Sequence, residues 1–341
     1  MSARFVLSKA LLMKQYEKIS PLGRVSYSLK TNPEVGSLLE QITDCEFSVH
    51  AKEELSFVND LSRVWFLADS WTVDDFLHLV DSGISKFVVY NVADLDVLER
   101  GLEQSDARID LLLRGKLREN TIFTEKYFVF GLSSSELNSS VKRMRSNKKI
   151  RSLGLHFHRK TQNISEWDFR YEIENIVDQA SLEMIDIVNI GGGFPVEYRN
   201  TGSDMIGAIA AKLNSLREFV GKYGISVMVE PGRYLSAPCV KLEAEIRSVV
   251  GNVLTLDCSV YNSSMDTLIY PLKLLVEGEL AEGGVGYMIK GCTPCSLDIF
   301  RYNARLHEKK PGDLIVFLNA GAYNFHTDFC SLKKLPTVII D

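Results

Sequence analysis

The sequence predicts an α/β protein: a closed (β/α)8 barrel of the TIM type over residues 16–237, and a C-terminal antiparallel β domain over 238–341 to which residues 1–15 add an N-terminal strand. Two observations predict it. Between about residues 25 and 232, eight short β-branched or aromatic runs alternate with stretches of helical periodicity. After about Leu235 that rhythm gives way to strand-like runs separated by Gly, Asn and Pro turn signals.

The eight barrel runs are VSYSL from Val25, CEFSV from Cys45, VWFLA from Val64, KFVVY from Lys86, RIDLLL from Arg108, LGLHFH from Leu153, DIVNI from Asp186 and SVMVE from Ser226. A ninth, KYFVFGL from Lys126, is assigned to a loop because the stretch before it is short and polar. EVGSLLEQI, AKEELSFVNDL, VDDFLHLVDSG and ADLDVLERGL place apolar residues three and four apart and read as helices. A doubly wound sheet shares this alternation. In the second domain the strand candidates are KLEAEIRSVV, NVLTLD, LIYPLKLLVEG, VGYMIKG, GDLIVFLNA and LPTVIID, with RFVLSKALL available to pair with the tail. The basic run from Lys142 to Arg151 reads as a solvated helix end.

A chain of 341 residues, 45% hydrophobic and 24% charged, suits about two globular domains and excludes collagen-like, disordered and disulfide-scaffold classes. The 39 basic and 44 acidic residues give a net charge of -5, so composition offers nothing to nucleic acid or to an anionic membrane. Small-molecule chemistry is the default. Six cysteines are too sparse for a disulfide framework, the opening residues carry no cleavable leader, and no run approaches the ~18 apolar residues of a membrane span. The expected location is cytoplasmic.

Function in such a barrel collects at the carboxyl ends of the strands. Lys30, in SLKTN, reads either as an amine made nucleophilic by desolvation or as a snorkelling lysine. NIGGGFP puts Gly191, Gly192 and Gly193 at a strand end, where backbone N–H groups can approach a phosphate or simply form a tight turn. Glu230 and Arg233, in EPGRYL, read as a carboxylate for a heterocyclic nitrogen and a cation for a phosphate, or as a structural ion pair. His156 and His158 share one face of a strand; with no third ligand at zinc spacing, a metal site is not expected, and a ring stacked on a flat cofactor is the functional alternative to a core histidine.

Together these residues resemble the fold-type III (alanine racemase-like) pyridoxal-phosphate decarboxylases, the group of ornithine, arginine, diaminopimelate and carboxynorspermidine decarboxylases. SLKTNP, AKEEL, GLHFHRKTQ, NIGGGFP, EPGRYL, GCTPCSLD, PGD and GAYNF carry the resemblance over nearly the whole chain, in family order. It implies pyridoxal 5'-phosphate as cofactor, held by Lys30 as an aldimine, with His158 stacked on the ring and Glu230 on the ring nitrogen. Gly191, Gly192, Gly193, Arg233 and Tyr323 would hold the phosphate, with Thr161 near the cofactor and Glu54 on the acid of the second-strand motif. The activity implied is decarboxylation of an amino acid to the amine and CO2. An amino-acid racemase or epimerase on the same barrel is the enzymatic alternative, opposed by Glu230 because that family pairs the ring nitrogen with arginine. A non-catalytic homologue acting as a binding or regulatory protein is the third reading.

The family's GPxCxxxD motif supplies a proton-donating cysteine, usually from the partner subunit, and a substrate-contacting Asp. Here Pro294 stands at the cysteine position, so the resemblance offers Cys295, one residue late, ahead of Cys292, two early, with Asp298 toward substrate. It implies a head-to-tail homodimer with shared active sites. In the specificity segment, Tyr270 or Pro271 stands where ornithine decarboxylases carry the amine-reading acid, and Asp266 remains available for an amine. Arg159 and Lys160 replace small residues after the stacking histidine and add positive charge toward the phosphate end. The chain is short for the family, and the expected substrate is a larger amino-acid adduct, such as an aminocarboxypropyl compound of polyamine or peptide-natural-product biosynthesis.

Overall fold

The computed structural model describes residues 2–117, 130–163, 166–201 and 206–341. Its strands, in chain order, are β1 (Arg4–Ser8), β2 (Arg24–Ser28), β3 (Glu46–Val49), β4 (Val64–Leu67), β5 (Lys86–Val89), β6 (Ile109–Arg114), β7 (Ile150–His156), β8 (Ile187–Asn189), β9 (Ser226–Val229), β10 (Val240–Val250), β11 (Val253–Leu256), β12 (Leu275–Val276), β13 (Val285–Lys290), β14 (Ile299–Leu306), β15 (Leu314–Leu318) and β16 (Thr337–Ile340). The chain forms two compact units: Ile19–Phe194 with Met205–Pro231, and Met1–Lys18 with Pro195–Asp204 and Gly232–Asp341. The segment Pro195–Asp204, read from the sequence as barrel, clusters with the second unit.

The first unit is a closed barrel of eight parallel strands, β2 through β9, with β9 returning to β2. All eight runs expected to form it do so. Parallel strands covered on both faces read as near-continuous apolar runs, as VWFL of β4 does; EFSV of β3 is also buried at every residue, its two polar side chains being satisfied by Arg24 and Lys86 at Glu46 and by Glu230 at Ser48. Trp65, Leu67, Val88, Leu112, Ile187 and Met228 form one cluster in the core. The KYFVFGL run lies almost wholly outside the described residues.

Local chemistry sets each strand-to-helix turn. After β2 the chain makes one tight turn over Leu29–Thr31, and Asn32 then caps the helix Pro33–Ile42 by accepting from Glu34 N (3.1 Å) and Val35 N (3.2 Å). The buried Tyr27 hydroxyl donates to Asn32 O at 3.0 Å and locks the turn that carries Lys30. Thr72 and Asn91 cap the helices Val73–Asp81 and Val92–Glu103 in the same way. AKEELSFVNDL departs from its helical periodicity: it folds as two short 3-10 turns, Lys52–Phe57 and Leu61–Arg63. Glu54 is drawn back to accept from His50 N at 2.8 Å, and Glu40 holds Asn59 N and Asp60 N, so local bonds displace the helix. The basic run is a solvated helix end: Lys142, Arg143, Arg145 and Arg151 each meet a surface carboxylate.

The second unit is an eight-stranded sheet in the order β12-β15-β10-β11-β13-β14, with β1 on β10 and β16 on β1. Most pairings are antiparallel, as expected, but β1 with β16 and β11 with β13 are parallel, so the sheet is mixed. The N-terminal strand does pair with the tail, Phe5 facing Thr337 and Ser8 facing Ile340. LIYPLKLLVEG is not one strand: Asp266–Ile269 is a helical turn and only Leu275–Val276 is strand, with Pro271 between them. IFRYNARL, missed in the sequence because its outward face is charged and polar, is β14.

Gly154 of β7 tests barrel closure, because a Cβ there would lie 2.3 Å from Ile187 O and 2.7 Å from Leu112 Cδ2. Gly154→Ala should lower stability to urea by about 3 kcal/mol, the upper end of overpacking costs, with the far-UV spectrum retained.

Candidate active site

Within the barrel unit, the strand ends enclose a cleft of about 400 Å³. Ser28, Lys30, His50, Leu67, Asp69, Tyr90, Arg114, Phe130, His156, His158 and Glu230 line it. Three residues singled out in the sequence, Lys30, His158 and Glu230, therefore share one cavity although they come from strands far apart in the chain.

Glu230 follows β9 and is almost wholly buried. Oε1 accepts from Ser48 Oγ at 2.8 Å and from Asn189 Nδ2 at 2.9 Å, and Oε2 lies 3.0 Å from His156 Nε2. Burial alone would raise its pKa, but the charge and hydrogen bond of His156, with His158 and Ser48, outweigh it and hold the carboxyl below its ordinary value of 4.5. Three of about four acceptor positions are used, and Glu230 lines the cleft. His156 itself is fully buried, and its Nδ1 has no hydrogen-bond partner among the described residues.

Lys30 meets the cleft with its amine. Desolvation lowers its pKa, Glu230 and Glu54 pull it back up, and Arg114 lowers it again; the net is a shift below 10.5. His158 accepts from Gly192 N at 3.4 Å through Nδ1, which leaves its hydrogen on Nε2. Burial, and then Arg114, push its pKa well down, so the ring is neutral. His50, at the end of β3, is likewise held neutral by burial and by Lys30, at a pKa of about 3.

The three glycines have a second reason to be glycine. A Cβ on Gly191 would sit 2.2 Å from Phe157 O, one on Gly192 2.8 Å from Glu230 O, and one on Gly193 2.8 Å from Lys160 O. Gly191 and Gly193 also have φ of 70° and 96°. The β8 turn is thus pressed onto the ends of β7 and β9, and Asn189 Oδ1 accepts from Gly191 N at 2.8 Å. Arg159 lies against Gly193 of this turn through its O and Cβ, 3.3 and 3.5 Å from where a Cβ there would sit. It is buried and its guanidinium meets Glu172 (2.9 Å) and Glu166 (3.5 Å) over the Phe169 ring, so it adds no free charge toward a phosphate. Thr161 is half-buried just beyond it.

His50, Asp69, Tyr90 and Arg114, at or just beyond the ends of β3, β4, β5 and β6, also line the cleft, and their place at the carboxyl ends of barrel strands is the signal in the sequence that marks them.

The remaining candidates belong to the sheet unit. Arg233 is buried between the Tyr198 and Tyr323 rings, its guanidinium carbon 5.6 and 5.1 Å from their centroids. It donates to Tyr198 Oη at 3.0 Å and is paired with Asp266. Asp266, expected to face an amine, is instead committed to Arg233 and buried. Asp298, expected to contact substrate, is fully buried. Its Oδ1 accepts from Val260 N (2.9 Å) and its Oδ2 from Thr293 N (3.0 Å) and Thr293 Oγ1 (2.7 Å), so it braces the loop. Cys292 is exposed as a residue, but partial desolvation of its thiol and the Asp298 charge raise its pKa. Cys295 is half-exposed, its Sγ lies 3.1 Å from the Tyr261 hydroxyl, and that contact lowers its thiol pKa. Tyr270 is exposed.

The barrel residues fit a pyridine aldehyde bearing a phosphate. An amine of depressed pKa, a buried carboxylate below its ordinary pKa, a neutral imidazole and a His156 Nδ1 with no hydrogen-bond partner among the described residues supply partners for its aldehyde and ring, and the close-packed glycine turn stands beside them at the strand end.

Residues 10–237 match the family described as pyridoxal-dependent decarboxylase, pyridoxal binding domain. The diaminopimelate decarboxylase of Methanothermobacter thermautotrophicus is 23% identical over 78% of this chain and 66% of its own length. That of Halalkalibacterium halodurans is 24% identical over 82% of this chain and 70% of its own. Alignment to these relatives thus spans about two thirds of their length. In fold, a lysine/ornithine decarboxylase of Vibrio vulnificus solved with cadaverine superposes with a TM-score of 0.82 at 21% identity, over 100% of this chain and 95% of that one. The arginine decarboxylase of Paramecium bursaria Chlorella virus gives 0.80 at 17%, over 100% and 96%. No helix of the described residues is long and apolar enough to cross a membrane.

The depressed pKa of Glu230 sets a pH dependence. Its contribution to stability is complete above 4.5, the ordinary carboxyl value, and is lost as pH falls through the lower folded value. Glu230→Gln should be less stable than wild type at pH 7 by about 1–3 kcal/mol, with a smaller gap at about pH 3, as read by urea unfolding at both pH values.

Proposed function

The chain belongs to the pyridoxal-dependent decarboxylase family, and from that premise we propose that it is a carboxy-lyase, removing CO2 from an amino acid or an aminocarboxypropyl-type adduct to leave the amine. The observation that carries this reading is Glu230: a buried carboxylate kept ionised at the cleft wall by His156, Ser48 and Asn189. A carboxylate there would pair with a protonated ring nitrogen, where the racemases of this fold present an arginine. Pyridoxal phosphate, when bound, supplies an electron sink for the pair left by the departing carboxylate.

The chain's own groups do the rest. Lys30 offers an amine that desolvation makes a nucleophile toward the cofactor's aldehyde. His158, neutral and held by Gly192 N, presents a ring face. Gly191, Gly192 and Gly193 are assigned to the phosphate by family position, as are Arg233 and Tyr323, and Thr161 to the cofactor's surroundings; of the three glycines, Gly191 N is already engaged by Asn189 Oδ1 and Gly192 N by His158 Nδ1. Cys295 returns a proton to Cα: its hydrogen bond from Tyr261 stabilises the thiolate left behind. Cys292 is the second candidate. That loop is delivered from a partner copy in a head-to-tail homodimer, a reading supported by Leu297, Phe325 and Phe329, large apolar side chains exposed on the sheet unit.

The non-catalytic reading draws on one feature, Pro294 at the family's cysteine position. CO2 release from a panel of diamino acids and carboxylated polyamines separates the two, and its absence with the fully loaded protein sinks the enzyme. Loaded wild type should absorb near the visible edge, with the band and the activity both lost in Lys30→Ala. Cys295→Ala should cut turnover by about 10²–10⁴ while Cys292→Ala leaves it within threefold; the reverse pattern makes Cys292 the donor.

A further inference from the structure

Returning one proton to Cα needs one thiol, and the loop Gly291–Asp298 carries two. Its sequence, GCTPCSLD, separates Cys292 from Cys295 by Thr293 and Pro294, the C-x-x-C spacing of dithiols that cycle with a disulfide.

The loop folds the pair back on itself. The chain bends at Cys292, Thr293 and Pro294. Gly291 N donates to Asp298 O at 2.8 Å, Cys292 N to Cys258 O at 2.9 Å, and Asp298 N to Cys295 O at 3.1 Å. Asp298 Oδ2 takes Thr293 N and Oγ1 at 3.0 and 2.7 Å. A folded-back loop with two residues between its thiols can meet the ~4.4–6.8 Å Cα separation of a disulfide.

The six thiols are not equivalent. Cys45, Cys239 and Cys258 are buried, and burial raises the pKa of each, which leaves them inert. Cys292 and Cys330 are exposed and Cys295 is half-exposed. Cys295 Sγ lies 3.1 Å from the Tyr261 hydroxyl. Once it is a thiolate it can only accept, so the phenol donates and holds it in the reactive form. Low pKa, access to solvent and a second thiol nearby are the marks of a redox-sensitive cysteine. Cys330 is the competing partner: it stands on a separate segment, tied by Thr327 N to Tyr261 O at 3.1 Å and by the Phe329 ring stacked 4.0 Å from that of Tyr261.

We propose that Cys292 and Cys295 form a redox-modification site that closes to a disulfide when hydrogen peroxide reaches the loop. The Cys295 thiolate attacks one peroxide oxygen, the O–O bond breaks, and the departing hydroxide takes up a proton as water. Cys295 is then a sulfenic acid. The Cys292 sulfur attacks it, the S–O bond breaks, and the thiol's proton leaves with the hydroxide as a second water. Two thiols are oxidised and one peroxide is reduced. The effect on turnover rests on the decarboxylase reading: the bridge consumes both candidate proton donors, so turnover stops until a dithiol reductant reopens it.

The test treats the cofactor-loaded protein with an equivalent of hydrogen peroxide, blocks free thiols and maps its tryptic peptides by mass. Cleavage after Lys290 and Arg301 leaves Cys292 and Cys295 on one peptide and Cys330 on another. Wild type should show the first peptide lighter by two hydrogens, with turnover down at least about a hundredfold, and dithiothreitol should reverse both. Cys292→Ser should stop at a sulfenic acid on Cys295 that dimedone traps, and Cys330→Ser should close the bridge as wild type does. A bridge joining the two peptides overturns the proposal, as does a peroxide-treated wild type in which both loop thiols stay free; neither result needs a variant that folds. A bridge formed with turnover unchanged upholds the site and removes both thiols from the reaction. A bridge in a protein that releases no CO2 even when reduced upholds the site and removes the decarboxylase reading.

Discussion

A buried negative charge at the barrel mouth is the constraint around which the site is arranged. Glu230 cannot stay ionised inside a protein unless donors replace the water it has lost. Those donors come from three other strands: Ser48 of β3, His156 of β7 and Asn189 of β8. Ser26 of β2 adds a further link through its 2.8 Å contact with Ser48 Oγ. One carboxylate thereby ties together strands separated by as many as 182 positions in the chain.

The same network reaches the glycine turn. Asn189 gives Nδ2 to Glu230 and takes Gly191 N on Oδ1, so the acid and the turn are positioned by one side chain. Glu230 N in turn donates to Gly191 O at 2.8 Å. The absence of Cβ atoms lets the turn lie against the ends of β7 and β9, and the backbone N–H groups gain a fixed direction from that packing. Preorganisation of this kind lets polar groups act on a ligand without first reorienting.

In the sheet unit, comparable physics makes acids structural. Asp298 has three donors within 3.0 Å and no exposure, and its contacts brace the loop that carries both candidate thiols. Asp266 neutralises Arg233 in a buried setting where an unpaired guanidinium would be costly.

The amino-acid sequence alone determines the barrel, because parallel strands buried on both faces must be written as apolar runs, and it determines which residues end those strands. That was enough to name Lys30, His158, Glu230 and the three glycines. It could not separate AKEELSFVNDL from a helix, since the bonds of Glu54 and Glu40 that break it lie outside any periodic pattern. Only the tertiary structure decided which acidic groups are consumed and which are left to a ligand. Asp298 and Asp266 look available in the chain, and folding commits the one to Val260 N and Thr293 and the other to Arg233. Whether a carboxylate is satisfied depends on donors brought from distant positions by folding, and local sequence carries no record of them.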